Sequence, residues 1–283
     1  MLEAMITGEW RQPTNTAAHQ KGGIHDDATA TDLGFKGGTV AGSIHMEQFT
    51  PLLEEAFGEA YWRSGGLSLY FRSATVDQEP VRCFIAAPEQ VGDIRRAAVW
   101  MENEAGTLIL SGTASCDGHD AGSELRARLA EIRPVTELRI LDQIQVGDRV
   151  DGVEVLVENE HVDRQLQVIT EPMACYQTTE RFGARVLPMT GIVRSFDPAE
   201  QRIVTAAKQP FVGMYGAIEI EYINGPVFSE KPYQSSGEIA GLTDSPKTEV
   251  LWRDMLLEQD GQPIARMLKM DRILKDSSPL WQA

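Results

Sequence analysis

The chain carries the same pattern twice. Around Trp100 it reads RRAAVWMENEAGTLILSGTASC, and around Trp252 it reads KTEVLWRDMLLEQDGQPIARMLKM. Each has an apolar run containing tryptophan, then an acidic turn with glycine (Glu104-Ala105-Gly106 in one, Asp260-Gly261 in the other), then a second apolar run. Short β-prone runs joined by a glycine turn are the signature of a β-hairpin. Upstream of each hairpin lies a matching strand, polar turn and strand, at 66–87 and 216–241. The offset is about 150 residues, roughly half the chain, so two copies of one β-rich unit are expected. An amphipathic segment, Ser123 to Arg133, reads as a helix, and the join is placed near residue 138. The expected domains are therefore 1–137 and 138–283.

In the first copy one helix candidate, Ser43 to Phe57, precedes the strands. Met46, Phe49, Leu53, Ala56 and Phe57 recur at helical spacing, with Gly42-Ser43 at its start and Gly58 at its end. Pro51 either kinks this helix or sits at the first position of a new one begun at Thr50. A mostly apolar helix followed by four antiparallel strands describes a sheet wrapped around a central helix, an α+β arrangement. Sheet edges need covering, which two copies in one chain can do for each other; dimerisation of the whole chain is left open.

With 26 basic and 42 acidic residues the formal charge is −16. Such a chain repels phosphate backbones and anionic bilayers, so neither nucleic acid nor membrane is an expected partner. An apolar fraction of 42% supports an ordinary core, and no apolar run approaches the roughly 18 residues of a membrane span. The first residues lack a basic segment followed by an apolar one. The cysteines, Cys83, Cys116 and Cys175, are few, odd in number and far apart, which reads as buried free thiols in a cytoplasmic protein.

The stretch GIHDDATATDLGFKGGTVAG, 23–42, resembles the signature loop of the MaoC-like branch of the hotdog fold, which includes (R)-specific enoyl-CoA hydratases and acyl-thioester dehydratases. Gly22-Gly23-Ile24-His25 stands where that loop has Asn-Pro-apolar-His. Asp27 matches the following Asp, Gly34-Phe35 the Gly-Phe pair, and Gly42 the glycine that opens the central helix. The resemblance covers residues 15–117 by motif and 140–275 by organisation, and implies a double hotdog. It departs at Gln20, where the family has the carboxylate that pairs with His, at Gly22 and Gly23, and in a His-to-Gly spacing one residue short. The second copy, around VITEPMACYQTTERFGARVLP, has no histidine in the matching loop.

What the resemblance implies is a hydratase/dehydratase-like lyase acting on an acyl thioester, with coenzyme A as part of the substrate and no separate cofactor. His25 is the candidate general base, Asp27 its carboxylate neighbour, and the Gly42 N–H the group polarising the thioester carbonyl. Gln20, Asp26, Phe35, Ser43 and His45 complete the candidate substrate contacts, with His45 read first as a structural histidine and only second as a functional one. The spacing of His19, His25, Asp27 and His45 matches no metal motif, and no metal is expected. Arg72, Arg82, Arg95 and Arg96 read mainly as a solvated sheet face, with one of them available for coenzyme A phosphates. In the second copy Tyr176, Arg181 and Arg185 flank FGARVLP, and that half is expected to widen the pocket for an acyl tail. Two alternatives remain: a non-catalytic or divergent hotdog that binds an acyl or other apolar small molecule, its tunnel lined by residues such as Phe35, Ile44 and Phe49, and a thioesterase using Glu47.

Overall fold

A computed structural model describes residues 5–133 and 135–282. Eleven strands form one sheet. The first copy supplies β1 (Ile6–Thr7), β2 (Gly66–Phe71), β3 (Val81–Ile85), β4 (Glu89–Val91), β5 (Ile94–Asn103) and β6 (Leu108–Cys116). The second supplies β7 (Arg149–Leu156), β8 (Val212–Tyr222), β9 (Pro232–Asp244), β10 (Thr248–Gln259) and β11 (Gln262–Leu274). The order β1-β3-β5-β6-β2-β8-β11-β10-β9-β7 is a palindrome: each copy contributes the same five-strand sequence, run in opposite senses from the centre. β4 pairs only with β5, an addition of the first copy.

Both hairpins form where the turns demand. Asp260 and Gly261 have φ of 51° and 75°, as a two-residue turn between twisted strands requires, and β10 pairs with β11 from Gln259↔Gln262 outward. The strand pairs at 66–87 and 216–241 form too, but β2 and β3 are not neighbours; the β5–β6 hairpin comes between them, as β10–β11 comes between β8 and β9. At the centre β2 pairs antiparallel with β8, Gly66↔Glu221 through Tyr70↔Ala217, so each copy covers an edge of the other.

The helix expected at 43–57 is two helices, α2 (Gly42–Glu47) and α3 (Thr50–Phe57), following α1 (Asp27–Asp32). Pro51 falls in the first turn of α3, where its missing N–H has no intrahelical acceptor to lose. A short α4 (Tyr61–Ser64) leads into β2, and α5 (Glu124–Ala130), capped by the Ser123 hydroxyl, crosses the outer sheet face with its Leu125 N–H donating to Ser68 Oγ at 3.0 Å. Residue 138 lies in the connection between α5 and β7. The second copy continues with α6 (Asn159–Leu166), α7 (Ala174–Gln177) and α8 (Met189–Ile203).

In the second copy α8 takes the central place that a double hotdog implies, although no segment was assigned to it from the sequence. Its buried residues Met189, Ile192, Val193, Phe196, Ala199 and Ile203 follow helical spacing. Pro198 lies inside it and removes the bond that the Arg194 carbonyl would accept. One continuous core joins Met46, Phe49, Leu53, Trp62, Leu67 and Leu69 of the first copy to Tyr176, Ile192, Phe196, Ile218 and Tyr222 of the second. Cys83, Cys116 and Cys175 are buried and unpaired.

Candidate functional site

The opening loop is held by its own polar groups. Asp26 caps α1, accepting from Thr29 N–H at 3.4 Å and Thr29 Oγ1 at 2.8 Å, and pairs with Lys21 at 2.7 Å. These partners hold its carboxyl down at about 2. Asp27 accepts the Gly38 N–H at 2.7 Å, closing the far side of the loop. Asn15 Nδ2 donates to the His25 carbonyl at 2.8 Å. Gly38 is required here by contact: a Cβ would stand 2.3 Å from the His25 carbonyl oxygen.

His25 is half-buried, and its Nδ1 lies 2.7 Å from the Thr39 carbonyl. A carbonyl only accepts, so Nδ1 carries the proton and the neutral ring presents the Nε2 lone pair. Neither Asp26 nor Asp27 supplies this orienting contact. His45 is different: it is buried, its Nε2 sits 2.7 Å from Thr75 Oγ1, and burial pushes its pKa down to about 4. A ring so held stays neutral and structural. Phe35 is half-buried beyond α1, its N–H donating to the Ala30 carbonyl at 2.9 Å.

Glu47 is buried, and it meets the second copy. The Met189 N–H, at the start of α8, donates to Glu47 Oε2 at 2.5 Å. Burial pushes this carboxyl up to about 7, partly offset by Tyr176 and the Met189 amide. The two central helices are joined here, and Glu47 lines none of the cavities described below.

A cavity of about 640 Å³ lies between the copies. The first copy lines it with Thr16, His19, Gln20, Ala41, Ser43 and Ile44. Of the candidate residues, Gln20 and Ser43 are thus on its wall, and Gly42 is between two wall residues at the start of α2. His25, Asp27, Phe35 and His45 are not among its lining residues. Gly42 packs so closely that a Cβ would come within 2.5 Å of the Phe71 ring.

The second copy lines the opposite wall with His161, Arg164 and Gln165 of α6 and Thr190, Arg194 and Asp197 of α8. His161 Nε2, Gln165 Oε1 and Thr190 Oγ1 are buried with no hydrogen-bond partner among the described residues. Burial, with Arg194 and Arg164 nearby, pushes His161 down to about 4. Val168, Ile169, Val193 and Tyr215 line the same wall, which is therefore mixed, and no sequence motif marks any of its residues. The other flanking residues are ties: Arg181 pairs with Glu54, and Arg185 donates to the Tyr176 carbonyl and pairs with Asp163, both at 2.7 Å.

Behind that wall is a smaller cavity of about 240 Å³, shared through Asp197 and Tyr215. Here Lys269, Arg253, Glu200 and Asp271 form a buried ion network, with Lys269 Nζ at 2.8 Å from Glu200 Oε2. A depression of similar volume to the first, about 620 Å³, lies beside β7 and holds none of the candidate residues. The strand arginines also lie elsewhere: Arg95 and Arg96 pair with Asp117 and Asp120, Arg72 donates to Ser111 Oγ at 2.9 Å, and Arg82 to the Gly8 carbonyl at 2.7 Å.

This architecture is a double hotdog, α+β, and solved structures of the same fold cover nearly the whole chain. A MaoC domain protein of Chloroflexus aurantiacus J-10-fl aligns with a TM-score of 0.65 at 14% identity, over 97% of this chain and 95% of its own. A conserved hypothetical protein of Mycobacterium tuberculosis, essential for bacterial survival during infection and described as a double hotdog, aligns at 0.64 and 9%, over 97% of each. A MaoC-like dehydratase aligns at 0.59 and 12%, over 96% of this chain and 98% of its own. The resemblance read in the loop thus extends to the fold of both copies. No family profile and no curated protein matches the sequence.

Proposed function

We propose that the protein is a hydratase/dehydratase-like lyase acting on an acyl thioester bound at the cavity between the copies, with His25 as general base; the His25 ring is outside the cavity lining but is tied to Thr39, two residues before Ala41 of its wall. The observation that carries this is the His25 ring. Its Nδ1 is held by the Thr39 carbonyl, leaving Nε2 as a proton acceptor in the loop that leads to the start of α2. There Gly42 lies between Ala41 and Ser43, both on the cavity wall. First-turn N–H groups have no intrahelical acceptors, so the Gly42 N–H is available to a thioester oxygen that gains charge as C2 loses its proton. Coenzyme A enters as part of the substrate. No described helix is long and apolar enough to cross a membrane, in keeping with a cytoplasmic enzyme acting on a water-borne thioester.

A second reading, an acyl-ligand binder without turnover, is favoured by one observation: Asp26 and Asp27 are both committed to the loop itself. The thioesterase reading loses its carboxylate, because Glu47 is enclosed against Met189. Hydration of short- and medium-chain trans-2-enoyl-CoA, followed by loss of the conjugated-thioester absorbance, tests the proposal. His25→Ala is expected to lower the rate by about a hundredfold or more. Absence of turnover in the parent, with both esters still bound, would favour the binder.

A further inference from the structure

Adding or removing water needs two proton movements, one at C2 and one at the oxygen on C3. The family's loop pairs its histidine with a carboxylate where this chain has Gln20. The first copy's neighbouring carboxylates are occupied: Asp26 by Lys21 and Thr29, Asp27 by Gly38, Glu47 by Met189. Among the described residues lining the cavity, one carboxylate remains. It is Asp197, half-buried on α8, at the wall shared with the smaller cavity.

Its surroundings set it apart from its neighbour. Glu200, three residues on, is held by Lys269 at 2.8 Å and Arg253 at 3.4 Å. None of the described hydrogen bonds or ion pairs engages Asp197. Two carboxylates one turn apart on one helix therefore differ: one is neutralised in a buried network, and the other faces the cavity opposite Gln20 and Ser43. We propose that Asp197 is a catalytic residue of this site, the proton carrier for the oxygen on C3, supplied by the second copy in place of the carboxylate missing at Gln20. The assignment rests on the lyase reading above.

In hydration the Asp197 carboxylate takes a proton from water as the water oxygen bonds to C3. The C2=C3 electron pair shifts toward the thioester, and protonated His25 delivers a proton to C2. In dehydration His25 Nε2 takes the C2 proton, the C3–O bond breaks with its pair on oxygen, and protonated Asp197 gives the proton that completes water. Exchange with solvent resets both groups after either direction.

The electrostatics support the role. Burial pushes the Asp197 carboxyl up to about 6; Glu200 adds to this, while Lys269, Arg194 and Arg253 oppose it. Tyr215 and His161 share its wall, the latter kept neutral by burial. A carboxyl poised there can both accept and return a proton near neutral pH.

The test is hydration of trans-2-hexenoyl-CoA from pH 5 to 9 by the parent, Asp197→Asn and Asp197→Glu, with hexanoyl-CoA binding measured by calorimetry for each. In the parent kcat/KM is expected to fall on the acid side below about pH 6. Asp197→Asn is expected to lower kcat/KM by about a hundredfold or more and to abolish that acid-side fall, with hexanoyl-CoA still bound. Asp197→Glu should restore part of the rate and the fall. An Asn variant that keeps most of the parent rate with the same acid-side fall overturns the assignment and leaves the lyase reading standing. So does loss of hexanoyl-CoA binding in both variants, which marks Asp197 as structural. A parent that hydrates no enoyl-CoA overturns the lyase reading, and the assignment with it.

Discussion

Glu47→Gln isolates the cost of a carboxyl enclosed where the two central helices meet. The Glu47 side chain is buried, takes the Met189 N–H at 2.5 Å, and is pushed by burial from an ordinary 4.5 up to about 7. Between those values the folded chain holds a proton that the unfolded chain has released, so stability falls as pH rises through the window and is level on either side. At about 1.4 kcal/mol per pH unit the loss comes to about 3 kcal/mol. Glutamine keeps the shape and the acceptor for Met189 but has no proton to release. The variant should therefore gain about 3 kcal/mol on the parent between pH 4.5 and pH 8. One effect opposes this: an anion at the start of α8 is favoured by the helix dipole, by up to about 2 kcal/mol. Taking a carboxylate out of water costs several kcal/mol, so burial wins. Urea unfolding of parent and variant at pH 5 and pH 8 measures the difference. A variant that loses ground at pH 8 relative to pH 5 would refute the reasoning, because the carboxylate would then be held as an anion by the helix. Under the lyase reading the same variant should leave thioester chemistry in place, since Glu47 lines none of the cavities described above.

Gly38→Ala places a Cβ 2.3 Å from the His25 carbonyl and 3.0 Å from Asn15 Nδ2. Backbone on that side has little room to yield, so a loss of about 1–3 kcal/mol is expected by denaturant unfolding, with enoyl-CoA hydration falling alongside. Lys269→Met leaves Glu200 and Asp271 sharing Arg253 alone in a buried site. It should cost about 3–5 kcal/mol, and adding Glu200→Gln should recover part of that. The loss should persist in 1 M salt, because buried pairs are screened far less than exposed ones.

The doubling and the hairpins were legible because they are local. Asp260-Gly261 states its own turn, and the apolar runs on either side register themselves once it forms. Pro51 marked the break between α2 and α3, although its two readings were equal until Phe49 and Thr50 were placed. The order of strands was not legible. β2 and β3 are consecutive in sequence, and what separates them is the later β5–β6 hairpin, a long-range choice that no run of residues encodes. α8 is written in plain spacing from Met189 to Ile203, with Gly191 and Pro198, both poor helix formers, inside it. Tertiary packing between two copies tolerates both.

The candidate site was legible only on the side that carries a motif. Gln20 and Ser43, on the cavity wall, follow from one loop, whereas His161 reaches the cavity because α6 packs against α8, and Arg194 and Asp197 because α8 packs against α2. That contact is fixed by a carboxyl of the first copy on an amide of the second. The histidine loop stands on one side only of a cavity built from both walls, and the second copy, without that histidine, faces the cavity with α6 and α8. The polar residues on α6 and α8 are hard to explain as a lining for a hydrocarbon tail. Three buried polar atoms without partners would each cost about 1–3 kcal/mol beside such a tail. They share that wall with Val168, Ile169 and Val193. A mixed wall of this kind suits a ligand with both apolar and oxygen-bearing parts, and Asp197 stands on it.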